Sequence, residues 1–268
     1  MSGLVNWLVD LPTVVLFLLL TLVGFMFTIG LSWLIRRFIE DDVRTKSSTS
    51  VTTVVGVIAG LYAVLVTFVI VNEWQTFNDA QANVSAEAAA LTATAFDASV
   101  LPEPARTTIT NAIFAYDRSV VCDEIPYLAN HQGPNLPTRE ALRRLFDAVA
   151  TAPPAARTSQ FYDDVVGQLA QIARARHERI NAASSPLPDL LLIVILVTSL
   201  ALIAVASALD TQHRRWHLVL TTALTILVAL NLTLILTLSR PFDGAASISD
   251  APLREGVPSA LLRCDAAR

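Results

Sequence analysis

Charge is scarce in this sequence. Of 268 residues 16% are charged and 53% are hydrophobic, against about 25% charged in soluble domains. A chain this poor in charge is built for a bilayer. Lysine is all but absent: Lys46 is the single lysine among 19 basic residues, a bias toward arginine that fits a GC-rich bacterial source. The net charge of −4 argues against nucleic-acid binding, where a basic face is expected. Two cysteines, Cys122 and Cys264, are too few for a disulfide scaffold and lack zinc-ligand spacing. No nucleophile elbow, P-loop, zinc-protease helix or dinucleotide fingerprint occurs, so the sequence reads as a non-enzyme without metal or cofactor. Nor does any segment alternate apolar and polar residues as a strand would.

What the sequence does have is four long apolar runs, at residues 11–35, 51–71, 190–209 and 217–238, none holding an Asp, Glu, Lys or Arg. About 20 apolar residues at 1.5 Å rise cross a hydrocarbon core of about 30 Å. The first run is too long for a signal h-region and lacks basic residues before it, so it reads as an uncleaved span. Proton-coupled transporters place titratable groups at membrane depth; their absence here argues against that class. Polar residues inside the runs, such as Tyr62, Thr67, Thr198, Ser199 and Asn231, read as helix–helix hydrogen-bonding groups.

The second run carries the most information. It does not end in a turn but passes through Asn72-Glu73-Trp74-Gln75 into a stretch free of proline and glycine until Pro102. Phe77, Ala80, Val84, Ala88, Leu91 and Ala95 recur there at helical gaps, which predicts one helix leaving the membrane and continuing into water. The residues before it, 36–46, read as a charged loop, with the cluster 47–50 capping the helix.

The rest of residues 72–187 reads as a helical extramembrane domain. Ile109, Ile113, Tyr116 and Val120 form one apolar face; residues 123–137 read as a loop; Thr138 caps a helix with Leu142, Leu145, Phe146 and Val149. A last helix begins near Phe161, with Val165, Leu169 and Ile172 inward. The expected fold is all-α: an integral membrane protein with four transmembrane helices and a helical extramembrane domain between the second and third. Its parts are residues 1–71, 72–187, 188–239 and a tail, 240–268, with little helical pattern.

Basic residues flanking the spans set orientation. Arg36, Arg37, Arg44, Lys46, Arg214 and Arg215 lie in the two short loops, which places those loops in the cytoplasm. The large domain and both termini are then extracytoplasmic. Cys122 and Cys264 share a side and could bond there; two unrelated free thiols are the competing reading.

Several residues stand out as candidate sites. Gly56, Gly60 and Ala63 put small side chains on one face, which permits close helix packing. Leu61, Leu65, Phe68 and Asn72 lie on another and could line a pore with a hydrophobic constriction; contact with lipid or core is the competing reading. Glu73, Asp79 and Glu87 could attract cations at a channel mouth or bind Ca²⁺, but lack a ligand-dense loop and read as solvated acids; Arg174, Arg176 and Arg179 read as flanking charge or lipid headgroup contacts.

These residues resemble a bacterial membrane family labelled bestrophin-like, whose function is unknown. The resemblance rests on Glu87-Ala88-Ala89-Ala90-Leu91, on Leu101-Pro102 with Arg106, and on Arg240-Pro241-Phe242-Asp243-Gly244 after the last span. A more distant similarity to bestrophins lies in residues 60–66 followed by Trp74. It implies a homo-oligomer, a pentamer if bestrophin-like, passing anions through a neck made by apolar residues of the second span. The chain departs from bestrophins at the exit, with Asn72-Glu73-Trp74 in place of their Arg-Trp-Trp, and in its basic flanks, which put the large domain outside rather than in the cytoplasm. The alternative is a non-conducting membrane-anchored sensory or scaffold protein whose helical domain binds a ligand or partner.

Overall fold

The computed structural model describes residues 11–38, 41–130, 133–184, 187–208, 214–243, 247–255 and 264. Among them every regular element is helical. In chain order they are α1 (Thr13–Phe38), α2 (Asp41–Ser99), α3 (Ala105–Ser119), a π-helical turn (Val120–Glu124), α4 (Ile125–Asn130), α5 (Leu136–Ala150), α6 (Pro154–Arg157), α7 (Gln160–Ser184), α8 (Asp189–Ala208), α9 (Arg214–Leu238) and α10 (Ala251–Glu255). Four of these helices are long and apolar enough to cross a membrane, over Thr13–Leu34, Thr53–Ser99, Asp189–Ser207 and Leu218–Leu238.

Helix α2 runs for 59 residues without a break, roughly 88 Å at 1.5 Å per residue. With no proline in it and no glycine after Gly60, nothing removes a ladder donor or loosens the backbone. It starts earlier than the sequence suggests. Residues 47–50 lie inside the helix rather than capping it, because polar side chains are compatible with helix when the chain on both sides already propagates it. The expected loop at 123–137 is likewise half helical, taken up by the π-turn and α4. The cap of α5 is Asn135 and not Thr138: the Thr138 N–H donates to Asn135 Oδ1 at 3.2 Å. Thr138 is instead buried, and its hydroxyl donates to the Ser119 carbonyl at 3.2 Å.

The chain divides into two compact units, Met1–Gln75 with Leu187–Ser239, and Thr76–Pro186 with Arg240–Arg268. In the first, Leu16, Tyr62, Val66, Val69, Ile195, Leu202, Val228 and Ile235 form the core. Close approach of α1 and α9 depends on Gly24, where an added Cβ would lie 2.6 Å from Thr225 Cγ2. One turn away Thr28 and Thr225 share a hydroxyl hydrogen bond of 3.3 Å. Ser199 donates to the Tyr62 hydroxyl at 3.3 Å across α8 and α2, whereas Thr67 and Thr198 donate back to carbonyls of their own helices.

In the second unit Ala80, Val84, Leu91, Ile109, Ile113, Leu145, Val165, Leu169 and Ile172 are buried together. The tail lends Phe242, Ile248 and Leu253 to this core. Its path is fixed by the Ile248 N–H donating to the Pro241 carbonyl at 2.8 Å. It is also fixed by a disulfide between Cys122, on the π-turn, and Cys264, with Cα atoms 5.4 Å apart.

Candidate functional site

Two features of the chain could carry function: an unpartnered face of α2, and a buried ion cluster in the second unit.

On α2, Val57, Leu61, Val64 and Phe68 recur at gaps of three and four, and each leaves more than half its surface uncovered, Phe68 reaching 72%. Asn72, Gln75 and Asp79 continue the stripe as exposed residues. Leu65 stands at its edge, half-buried against the core of the first unit, while Val64 faces out. Gly56 and Gly60 lie on the same open side: an added Cβ at either meets nothing within 4 Å, and Ala63 is exposed. Among the described residues, nothing packs against Gly56 or Gly60.

The residues that form motifs scatter over the second unit. Leu91, Pro241 and Phe242 are buried. Pro102 is exposed ahead of α3, and Arg106 is an exposed partner of Glu103, its Nη2 2.7 Å from Oε1. Glu103 also accepts from the Thr107 N–H and hydroxyl, so it closes the start of α3, and the Arg106 contact holds its carboxyl below the usual range. Gly244 lies outside the described residues.

Glu87 is a different case. It is completely buried. Its carboxylate accepts from the Tyr116 hydroxyl at 2.5 Å and from Arg179 Nη1. The other end of the Arg179 guanidinium, Nη2, donates to Glu124, which also takes two bonds from Arg176, at 2.5 and 3.1 Å. Glu87, Glu124 and Arg179 are all 0% exposed. Thus α2, α3, the π-turn and α7 meet on one charge network. The π-turn has a positional effect here: one wider turn directs Glu124 inward while Cys122 stays at the rim. Arg174 stays exposed. Glu73 is also buried, so of Glu73, Asp79 and Glu87 only Asp79 is exposed as the sequence suggested.

Burial pushes the Glu87 carboxyl above its ordinary value, and Arg179 and Tyr116 pull it back. Burial, with the Glu87 charge beside it, holds the Tyr116 phenol well above its usual range, so the phenol remains a donor. A third acid, Asp117, is 1% exposed, and neither of its carboxylate oxygens has a hydrogen-bond partner. No group of three or more His, Cys, Asp or Glu residues among the described residues could hold a metal ion.

The Bestrophin-like domain model matches residues 22–253. The chain belongs to the bestrophin-like family. Solved structures share the fold. A mutant form of the bacterial Bestrophin homolog from Klebsiella pneumoniae superposes with a TM-score of 0.69 at 13% identity, covering 94% of this chain and 99% of that one. A second mutant of that homolog gives 0.65 at 14%, covering 92% and 97%. A crystal structure described only as a membrane protein gives 0.69 at 12%, covering 94% and 99%. No curated protein matches. Family membership and the apolar helices make this a multi-pass membrane protein.

The bestrophin-like chain hides its ion cluster from simple pattern reading, though a signal exists. Arg176 and Arg179 follow Val165, Leu169 and Ile172 at the same three- and four-residue gaps, and Glu87 sits likewise between Val84 and Leu91. Charges that occupy positions of an apolar stripe point to a paired, buried network rather than a solvated face.

Proposed function

We propose that this protein is an oligomeric membrane channel whose axis is lined by α2, with anions the permeant class that the resemblance to bestrophins implies. One observation carries the reading: the stripe Val57, Leu61, Val64, Phe68 and Asn72 is uncovered along α2, and Gly56 and Gly60 beside it meet no neighbour. Lipid can cover an apolar face, but the same stripe continues through Gln75 and Asp79, which suit an aqueous lumen. Small residues at the flank let copies of α2 approach closely. Phe68 then forms a hydrophobic constriction that gates by dewetting.

A second reading of the permeant ion rests on a specific feature. Between residues 72 and 105 the chain has no basic residue, while Asp79 is exposed on the stripe. Rings of acid favour cations. Flux into liposomes decides both points. Phe68→Ala is expected to raise flux several-fold, and a protein that conducts equally with and without that change refutes the lining. The reversal potential in a salt gradient gives the sign of the ion, and Asp79→Asn shifts it only if Asp79 faces the lumen.

The extramembrane domain, in this proposal, lies outside the cytoplasm. The basic flanks support that orientation, and so does the Cys122–Cys264 disulfide, since such bonds persist in oxidising compartments.

A further inference from the structure

The buried cluster does not balance. Its acids are Glu87, Glu124 and Asp117, and its bases are Arg176 and Arg179. Both arginines donate to Glu87 or Glu124, which leaves Asp117 as a third buried acid with no partner. Asp117 lines a small cavity of about 10 Å³ together with Ala88, Leu91, Thr92, Ile113, Phe114 and Leu253 of the tail helix α10. That is room for about one water molecule. On the outer side of α10, Pro252 and Glu255 line an open groove of about 690 Å³ that shares Ala88 and Thr92 with the cavity. The tail helix therefore stands between Asp117 and solvent, and Leu253, 1% exposed, is its inward side chain.

We infer that Asp117 is a proton-controlled latch for the tail: protonated, it lies sealed beneath Leu253, and ionised, it draws water in and releases α10. An isolated carboxylate in an apolar cavity is costly, because nothing there replaces its hydration. Releasing α10 joins the cavity to the groove and restores that hydration.

The surroundings favour the proton. From α2 Glu87 repels the carboxylate, from α7 Arg179 partly offsets it, and Arg176 is engaged with Glu124 of the π-turn. Tyr116 spends its hydroxyl proton on Glu87. The arginines of α5 are exposed, and Glu140 bonds Arg143. On and beside α10, Asp250 and Arg254 pair with each other at 2.7 Å, and Glu255 is exposed. Burial, with the Glu87 charge, raises the Asp117 carboxyl to about 7 from 3.8. The sign follows from that direction. The closed state binds the proton more tightly, so its advantage is complete below pH 3.8 and is lost as pH rises through about 7. The latch concerns the tail alone and holds whether or not the protein conducts.

Hydrogen–deuterium exchange of the full-length protein in detergent micelles, corrected for the intrinsic pH dependence of exchange, tests it. Protection of residues 247–255 should fall about tenfold per pH unit between pH 3.8 and about 7 and be level on either side. Asp117→Asn, which cannot ionise, should hold its protection constant over that range. Leu253→Ala should lower protection at every pH while keeping the slope. A flat wild-type profile overturns the proposal, and so does an unchanged slope in Asp117→Asn. If that variant does not fold, Asp117→Ser carries the same expectation in its place, and a flat wild-type profile still overturns the proposal.

Discussion

At the residue scale, the domain depends on how Arg179 is held. Its guanidinium bridges Glu87 and Glu124 with all three side chains out of water. Such a network is weak evidence for net stability, because desolvation offsets much of the attraction. Breaking it is another matter. Arg179→Met leaves two carboxylates facing each other in the core, and the expected loss is about 3–5 kcal/mol, read by chemical denaturation of the detergent-solubilised protein. Glu87→Gln should cost less, because an amide oxygen can still accept from Tyr116 and only one charge is lost. If Arg179→Met proved neutral, the cluster would not be holding the four segments together. Single-residue reasoning from sequence missed this site because it scored Glu87, Arg176 and Arg179 by residue type. Their register on apolar faces, which the sequence already displays, was the better guide.

At the scale of elements, helix type was legible and helix ends were not. Apolar runs free of charge dictate spans whatever the neighbours, and the 3.6-residue spacing of Val165, Leu169 and Ile172 dictates an inward face. Ends depend on competition between local side chains and propagation from an existing helix. That competition kept residues 47–50 helical, moved the α5 cap to Asn135 and turned part of the expected loop into a π-turn and α4. Gly24 shows a contact that no sequence pattern reveals, since only the structure brings Thr225 against it. Gly24→Leu must push α1 and α9 apart. The expected result is a loss of several °C in thermal midpoint, with Gly30→Leu, which meets nothing within 4 Å of its Cβ position, close to neutral. Equal effects at the two glycines would contradict the packing described.

For the whole molecule, sidedness and assembly can both be measured. The disulfide spans 142 residues in sequence, and its removal by Cys122→Ser with Cys264→Ser should cost about 2–5 kcal/mol. In sealed right-side-out membrane vesicles, an impermeant reductant followed by an impermeant maleimide should label both cysteines. Labelling only after the vesicles are opened would place the domain in the cytoplasm instead. The tail could not have been assigned from its sequence, because short segments such as Ala251–Glu255 are held by what they pack against and not by their own helical pattern.

In the proposed channel, α2 faces an axis shared between copies. A single bundle of four helices fills its own centre with side chains, so one subunit cannot supply that axis. Native mass spectrometry of the detergent-solubilised protein gives the subunit number directly. A closed ring, with five copies the expected count, places the uncovered stripe of α2 where a lumen must be. A stable monomer or dimer would contradict the account and leave that stripe as a lipid-facing surface.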